Sequence, residues 1–272
     1  MKISIITPTY NSADTIVQCV NSVLIQNVAN FEHIIVDGNS TDDTLKQLKG
    51  FSHLKYIVGD DEGIYDAINK GLILASGDVV SILNSDDFFI SSSVFSQVQK
   101  LFLENRELEV FSSGVEIVDK ANANLVVRRW VPSKPKSNSL HFGWMAPHPG
   151  MFIKKKTINK LSGFNKDYKI SSDYDLMIRL FKNRQVNYEI NRKIFVRMRL
   201  GGASTKGFKS FTDKTLEDWR IANQNGLWGG FTVLFKIIRK VIQLRPYFFV
   251  VFVASLGIKF SSLVSTRKNE NN

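Results

Sequence analysis

A single cysteine, Cys19, in a chain of 272 residues rules out an internal disulfide and a thiolate cage for a metal. Cys19 falls in an apolar, helix-like stretch, which suits a small buried side chain. Acids are missing where bases gather. From Arg128 to Lys160 there are eight lysines and arginines and no Asp or Glu, and from Trp228 onward there are seven against Glu270 alone. The net charge of +11 is therefore concentrated in two regions, which points to anionic partners met at particular faces. On charge alone, nucleic acid, phosphate-bearing small molecules and an anionic membrane are all candidates. No G-x-G-x-x-G follows the first strand-like run, where Thr7-Pro8-Thr9-Tyr10 stands instead, so a dinucleotide-dependent oxidoreductase fails on its main fingerprint. No secretory signal opens the chain, because Met1-Lys2 leads directly into Ile3-Ser4-Ile5-Ile6 and Pro8; a cytoplasmic location is expected.

What is present is a chain that is 43% hydrophobic, enough for one sizeable core. Short apolar runs alternate with amphipathic stretches through the first hundred residues, the spacing of strand and helix units around a mostly parallel sheet. Strands are expected at Lys2 to Thr7, Glu32 to Asp37, Lys55 to Val58 and Val79 to Leu83. Ile16, Val17, Val20, Val23 and Leu24 recur with a helical period behind a cap at Asn11 or Ser12, and Ile64, Ala67, Ile68, Gly71 and Leu72 form another such stripe. Beyond Phe88 the pattern predicts a helix near Ser93 to Glu104, a strand at Val110 to Val118, and a loop marked by Pro132, Pro135, Pro147 and Pro149. A helix at Asp173 to Lys182 and strands at Val186 to Ile190 and Ile194 to Arg199 follow.

In a parallel α/β sheet, ligands bind beyond the carboxyl ends of the strands. Four such ends are polar here: Thr7-Pro8-Thr9-Tyr10-Asn11, Asp37-Gly38-Asn39-Ser40, Gly59-Asp60-Asp61-Glu62 and Asn84-Ser85-Asp86-Asp87. All four would open on one rim. Two adjacent acids after a buried strand repel each other unless a cation neutralises them, and hard oxygen ligands favour magnesium or manganese. A solvated acidic turn capping the next helix is the competing reading of Asp86 and Asp87 taken alone. His148 stands between prolines in Ala146-Pro147-His148-Pro149-Gly150, a stiff loop that either serves structure or presents an imidazole to a diphosphate. Trp130 and Trp144 suit burial or stacking on a sugar.

Taken in order, Thr7 to Asn11, Val36 to Asp42, Asp61 to Gly71, Ala75-Ser76-Gly77-Asp78 and Leu83 to Asp87 resemble the signature of glycosyltransferase family 2. Pro147-His148-Pro149-Gly150, Gly163-Phe164 and Ser172-Asp173-Tyr174-Asp175-Leu176 continue the match. The resemblance implies a GT-A fold, inversion at the anomeric carbon, a nucleotide-sugar donor with uridine diphosphate as the common choice, and a divalent metal, magnesium or manganese. It places the nucleoside against Thr7, Pro8, Thr9, Tyr10, Asn11 and Asp37, with Asp61 and Asn69 near the donor. Asp86 would bear the metal and donor contacts, with Asp87 as a second metal ligand. Asn84 departs from the family, which often has an acid there, so that position offers only hydrogen bonds. The family's base falls on Asp173, preceded by Ser172 where the family has glutamate, and a helix-capping role for Asp173 is the alternative. Asp175, two residues on, is read as structural.

From about Gly229 the chain is apolar, aromatic and basic at once. Phe231, Val233, Leu234, Phe235, Ile237, Ile238, Val241, Ile242 and Leu244 alternate with Lys236, Arg239, Lys240 and Arg245 before Pro246, the pattern of a helix lying in an anionic interface. Tyr247 to Ile258 is shorter than the roughly 20 residues of a simple span. The expected organisation is a catalytic domain over 1–226, its nucleotide-sugar half 1–90 and acceptor half 91–226, followed by a membrane-associating helical extension over 227–272. The expected setting is the inner face of the cell membrane, with a glycan or lipid-linked glycan acceptor as in O-antigen-like polysaccharide assembly. Nucleic acid is excluded as a partner, since no recognised binding motif is present and acidic strand ends repel a phosphate backbone. The alternatives are a non-catalytic sugar- or nucleotide-binding relative of the same fold, or a basic membrane- or nucleic-acid-binding module.

Overall fold

The computed structural model describes residues 1–136, 138–182, 186–201 and 207–255. Its first third is built as the periodicity predicts. Strands β1 (Ile3–Thr9), β2 (Phe31–Asp37), β3 (Leu54–Val58) and β4 (Val79–Ile82) are separated by helices α1 (Ile16–Leu24), α2 (Thr44–Leu48) and α3 (Ile64–Leu74). The four strands pair in parallel in the order β3-β2-β1-β4. β1 is buried along its whole length because helices cover both faces. Ile3 and Ile5 pack with Cys19 and Val23 of α1, and Ile6 packs with Ala67, Ile68 and Leu72 of α3. Gly71 sits where α3 crosses β1, and a Cβ there would lie 2.4 Å from Cγ2 of Ile6. Glycine costs a helix about 1 kcal/mol, less than the ~1–3 kcal/mol of overpacking such a contact. The cap of α1 differs from expectation: Thr15 occupies the cap position without a side-chain bond, while Ser12 receives the Thr15 and Ile16 amides on its carbonyl.

The second part departs from a mostly parallel sheet. Here β5 (Phe88–Phe89), α4 (Val94–Glu104), β6 (Val110–Val118), β7 (Val126–Trp130), β8 (Met151–Lys154), α5 (Lys155–Lys160), α6 (Ser172–Lys182) and β9 (Tyr188–Arg199) follow in turn. β8 runs antiparallel to both β4 and β6, β6 is parallel to β9, and β5 and β7 add antiparallel edges. The result is one mixed nine-stranded sheet flanked by helices. Short apolar runs such as Met151-Phe152-Ile153 specify a buried strand but not its direction. The two strands expected between 186 and 199 are one, β9, with irregular register against β6.

At the end of the sheet away from the polar rim, Glu32 is buried and accepts bonds from Ser4, Ser76, Lys2 and Lys55. Burial alone would raise its pKa, but Lys55, Ser4, Ser76 and Lys2 together hold it well below the usual carboxylate range. Helices α7 (Gly207–Gln224) and α8 (Gly230–Ser255) complete the described chain. α8 continues through Pro246, where the sequence suggested a stop; the apolar and basic pattern is helical on both sides of it. Its first half packs on the body of the molecule, with Thr232 and Val233 buried and the backbone of Lys236 seated against Gly143. No helix among the described residues is long and apolar enough to cross a membrane. The apolar stretch expected up to Ile258 extends past Ser255 outside the described residues.

Candidate active site

The four polar strand ends share one rim because their strands are parallel neighbours, and side chains stitch them together. The Asn11 amide donates to Ser40 Oγ at 2.9 Å, and Asn11 Oδ1 accepts from the Thr41 amide at 2.8 Å. The Ser12 and Ser85 hydroxyls meet at 2.8 Å, joining the ends of β1 and β4. Asn11 and Asn39 take positive φ of 45° and 61°, a conformation that asparagine tolerates better than most residues. Thr7, Pro8 and Thr9 are buried within β1, with Thr7 Oγ1 2.9 Å from Nε2 of His33; they shape the rim from beneath. Tyr10, 63% exposed, is the side chain this segment offers to solvent. Asp37 is fully buried, and its two oxygens accept from the amide and hydroxyl of Ser40 at 2.7 and 2.6 Å. Asp61 accepts from the Gly63 amide at 2.9 Å and lies so close to Gly38 that a Cβ there would be 2.5 Å from Asp61 Oδ2.

Asp86 is half-buried at the rim and Asp87 is fully buried. Asn84 donates to Asp87 Oδ2 at 3.1 Å, while Asp87 Oδ1 is buried and makes no hydrogen bond of good geometry among the described residues. Burial, then the adjacent Asp86, pushes the Asp87 carboxyl well above its ordinary range. Arg199, at the end of β9, clasps this turn: it donates to the Asp86 carbonyl and to Gln18, and its guanidinium lies 5.0 Å from the centre of the Phe88 ring.

Asp173 stands in the first turn of α6, and its surroundings were not visible in the sequence. Nδ1 of His148 is 3.1 Å from Asp173 Oδ2. The Tyr65 hydroxyl donates to the Ile170 carbonyl at 2.7 Å and to Asp173 Oδ1 at 3.3 Å. Tyr65 belongs to the first turn of α3, directly above the Gly59–Gly63 rim segment, so Asp173 is tied to that rim. Lys169 strengthens the link by donating to the Glu62 carbonyl at 3.0 Å. Glu217 of α7 clips the segment that leads into α6, receiving the amides of Lys169, Ile170 and Ser171 at 2.8–2.9 Å. Burial raises the Asp173 pKa, but His148, Lys214 and Lys236 outweigh it and bring the carboxyl below its ordinary value. Burial lowers the pKa of His148, against the pull of Asp173, which favours the neutral imidazole.

Other expected residues fall elsewhere. Both atoms of the Asn69 amide are committed to the Phe164 backbone, at 2.8 and 2.9 Å, so this side chain positions the Gly163-Phe164 loop. Asp175 pairs with Arg179 at 2.8 Å, a structural contact. Trp144 is buried with its indole N–H on Ser133, whereas Trp130 is half-buried, edge-on to His148 at 5.9 Å.

The family model described as glycosyl transferase family 2 matches residues 4–195. The chain belongs to glycosyltransferase family 2. It is thus an enzyme that moves a sugar from a nucleotide diphosphate donor to an acceptor. Among its relatives, this glycosyltransferase is 29% identical over 185 residues to a PGL/p-HBAD biosynthesis glycosyltransferase of Mycobacterium bovis, covering 66% of this chain and 70% of that one. Its fold is similar to that of S. aureus TarS 1-349 in complex with UDP, at 18% identity and a TM-score of 0.61, over 87% of this chain and 68% of that chain. A mannosyltransferase from Pyrobaculum calidifontis in complex with GDP-Man and Mn2+ aligns at 16% identity and a TM-score of 0.54, over 98% and 83%.

Magnesium and manganese keep several waters and fill their shells with substrate phosphates, so one or two carboxylates suffice to hold them. Asp86 at the rim and Asp87, whose buried Oδ1 has no well-formed hydrogen bond among the described residues and lies in the repulsive situation a cation relieves, could supply such a donor set. No group of three or more His, Cys, Asp or Glu side chains that could hold a metal occurs among the described residues, so donor oxygens would have to complete the shell. The residues missed in the sequence are Tyr65, Arg199, Lys214, Glu217 and Lys236. Each reaches the site across a long separation in sequence; Tyr65 lies within the Asp61–Gly71 motif, and the others belong to no motif singled out in the sequence.

Proposed function

We propose that this glycosyltransferase inverts the anomeric carbon of a uridine diphosphate sugar, with Asp173 as general base and the donor held along the rim by Tyr10, Asn11, Asp37, Asp61 and Asp86. The single observation that supports this is the Tyr65 bridge, which ties the Asp173 carboxylate to the rim where the donor would lie. In the reaction, the acceptor oxygen forms a bond to the sugar carbon, the bond from that carbon to the diphosphate breaks, and the acceptor proton passes to Asp173. A carboxylate of depressed pKa is adequate, because the acceptor hydroxyl becomes acidic as the new bond forms. A magnesium or manganese ion on Asp86, with Asp87 behind it, would supply charge neutralisation for the departing diphosphate. The uridine preference draws on TarS, whose structures hold UDP and UDP-GlcNAc; the GDP-Man complex supplies the competing nucleotide. A panel of nucleotide sugars with manganese should contain one that raises the thermal midpoint by about 5–10 °C near 100 times its Kd. That donor should be consumed faster when a glycan acceptor is added. If no nucleotide sugar stabilises the protein or is consumed, the reading is wrong.

We further propose that the acceptor is a lipid-linked glycan of surface polysaccharide assembly, met at the inner face of an anionic membrane. The outward side of α8 supports this: Phe231 is 68% exposed, and Leu234, Ile238, Val241 and Ile242 are also exposed. Phe142, Phe235, Ile238 and Ile242 line an open groove of about 470 Å³ beside Arg239. Scattered exposed apolar residues are ordinary, but a contiguous set beside basic residues is typical of interfacial helices. The protein should sediment with vesicles containing phosphatidylglycerol at low salt. The pair Phe231→Ser and Ile238→Ser should abolish sedimentation without changing the donor-induced thermal shift. Sedimentation that survives the pair, or is absent from the unaltered protein, removes the membrane from the proposal.

A further inference from the structure

Beside Asp173, three elements bring positive charges together. Nζ of Lys214 on α7 and Nζ of Lys236 on α8 stand 3.4 and 2.8 Å from the same oxygen, Oδ1 of Asp218. Lys214 also donates to Ser171 Oγ at 3.0 Å. The buried ammonium of Lys236 has, among the described residues, only that carboxylate and the face of the Tyr174 ring at 3.4 Å. An ammonium carries three donors, so some of them are unspent. Arg128 on β7, its guanidinium 5.3 Å from the Trp130 ring centre, and Lys240, one helical turn beyond Lys236, add two more cations. Lys240 feels the repulsion of both Arg128 and Lys214. The acids do not balance this set. Glu217 is spent on three backbone amides, Asp173, which also acts on both lysines, is engaged by His148 and Tyr65, and Asp218 is the acid in direct contact with the two lysines among the described residues.

Like charges held together oppose the fold, and apolar side chains of similar size would pack α8 onto α6 and α7 at least as well. Burial, then Lys214, brings the Lys236 pKa down to about 8 despite Asp218 and Asp173, which records that tension. A bound anion relieves it. We propose that Arg128, Lys214, Lys236 and Lys240 form a binding site for a phosphate or diphosphate ester carried by the acceptor, placed so that the acceptor hydroxyl reaches Asp173. The half-buried Trp130, between Arg128 and His148, offers a ring edge or face to the sugar that joins the two. This inference deepens the proposed reaction and takes from it the role of Asp173; the anion site itself is testable without turnover.

Titration calorimetry of the full chain with inorganic pyrophosphate in EDTA, where a metal-dependent donor site is silent, should show one binding event. Arg128→Gln and Lys240→Gln should each weaken it about 10-fold, the scale of one charge-assisted hydrogen bond. Affinity for uridine diphosphate with manganese should stay within about twofold. Lys240 is exposed, so its replacement leaves the core untouched, and an unchanged thermal midpoint verifies this. Absence of pyrophosphate binding, or binding that neither variant alters, overturns the site. Equal loss of uridine diphosphate affinity overturns the acceptor assignment, since the cations would then serve the donor. Competition separates the sources. Displacement of pyrophosphate by a short prenyl diphosphate but not by a hexose 1-phosphate supports a lipid-linked acceptor; displacement by both supports recognition of the phosphate ester as such. Displacement by neither overturns the assignment. A protein inert toward every nucleotide sugar would sink the proposed reaction while leaving the pyrophosphate result legible.

Discussion

Asp173→Asn should lower turnover by about 100-fold or more, the usual scale for loss of a general base, while binding of the nucleotide sugar stays nearly unchanged. The amide preserves shape and can still accept from Tyr65, so the loss would be of basicity. The pH profile adds a readout that a packing defect would not produce. His148, Lys214 and Lys236 hold the Asp173 carboxyl below its ordinary value against its burial. The base is therefore ionised throughout the neutral range, and the acid limb of kcat/KM, where protonation silences it, lies below the ordinary carboxylate range. In the asparagine variant that limb should vanish along with the rate. Normal turnover in the variant would reduce Asp173 to a residue of the helix terminus and require another base.

Asp86→Ala should have the larger effect, a loss on the order of 1000-fold in turnover, since charge stabilisation of the leaving diphosphate is worth several kcal/mol. It should also remove the enhancement of nucleotide diphosphate binding by manganese, which calorimetry with and without the metal detects. Equal enhancement in the variant and the unaltered protein would shift the metal away from Asp86. Asp87→Asn is a weaker probe, because Asp87 is buried against Asn84 and its replacement perturbs the turn itself.

The shared rim of polar strand ends was legible because it is local. Each of the first four strands carries its polar segment at its own end, and parallel pairing then places the segments together without further information. What periodicity could not supply is the direction of β8, hence the mixed sheet, since a buried run of three apolar residues reads the same both ways. Motif order located Asp173, yet its environment is assembled from Tyr65, His148, Lys214 and Lys236, whose separations in sequence hide their meeting. Asn69 illustrates the converse. It lies within a family-like segment near the rim, but its amide is taken by the Phe164 backbone, a contact that depends on where the loop after α5 returns. The lysines of α8 were visible as charge on an apolar helix and suggested only a surface. Lys236 turns inward against Tyr174, so the helix has two occupations.

The clip made by Glu217 bears on the order in which competence is acquired. Domains tend to form from the N-terminus while the ribosome is still adding residues, and the four parallel strands with their rim need only the first third of the chain. The segment that presents Asp173 is fastened by a residue 44 or more positions later, and the lysines around it come from α7 and α8. If the proposed roles hold, a nascent chain could shape its polar rim long before it could position Asp173 to deprotonate an acceptor. On the proposed roles, chemistry would switch on only once α7 and α8 have emerged and docked.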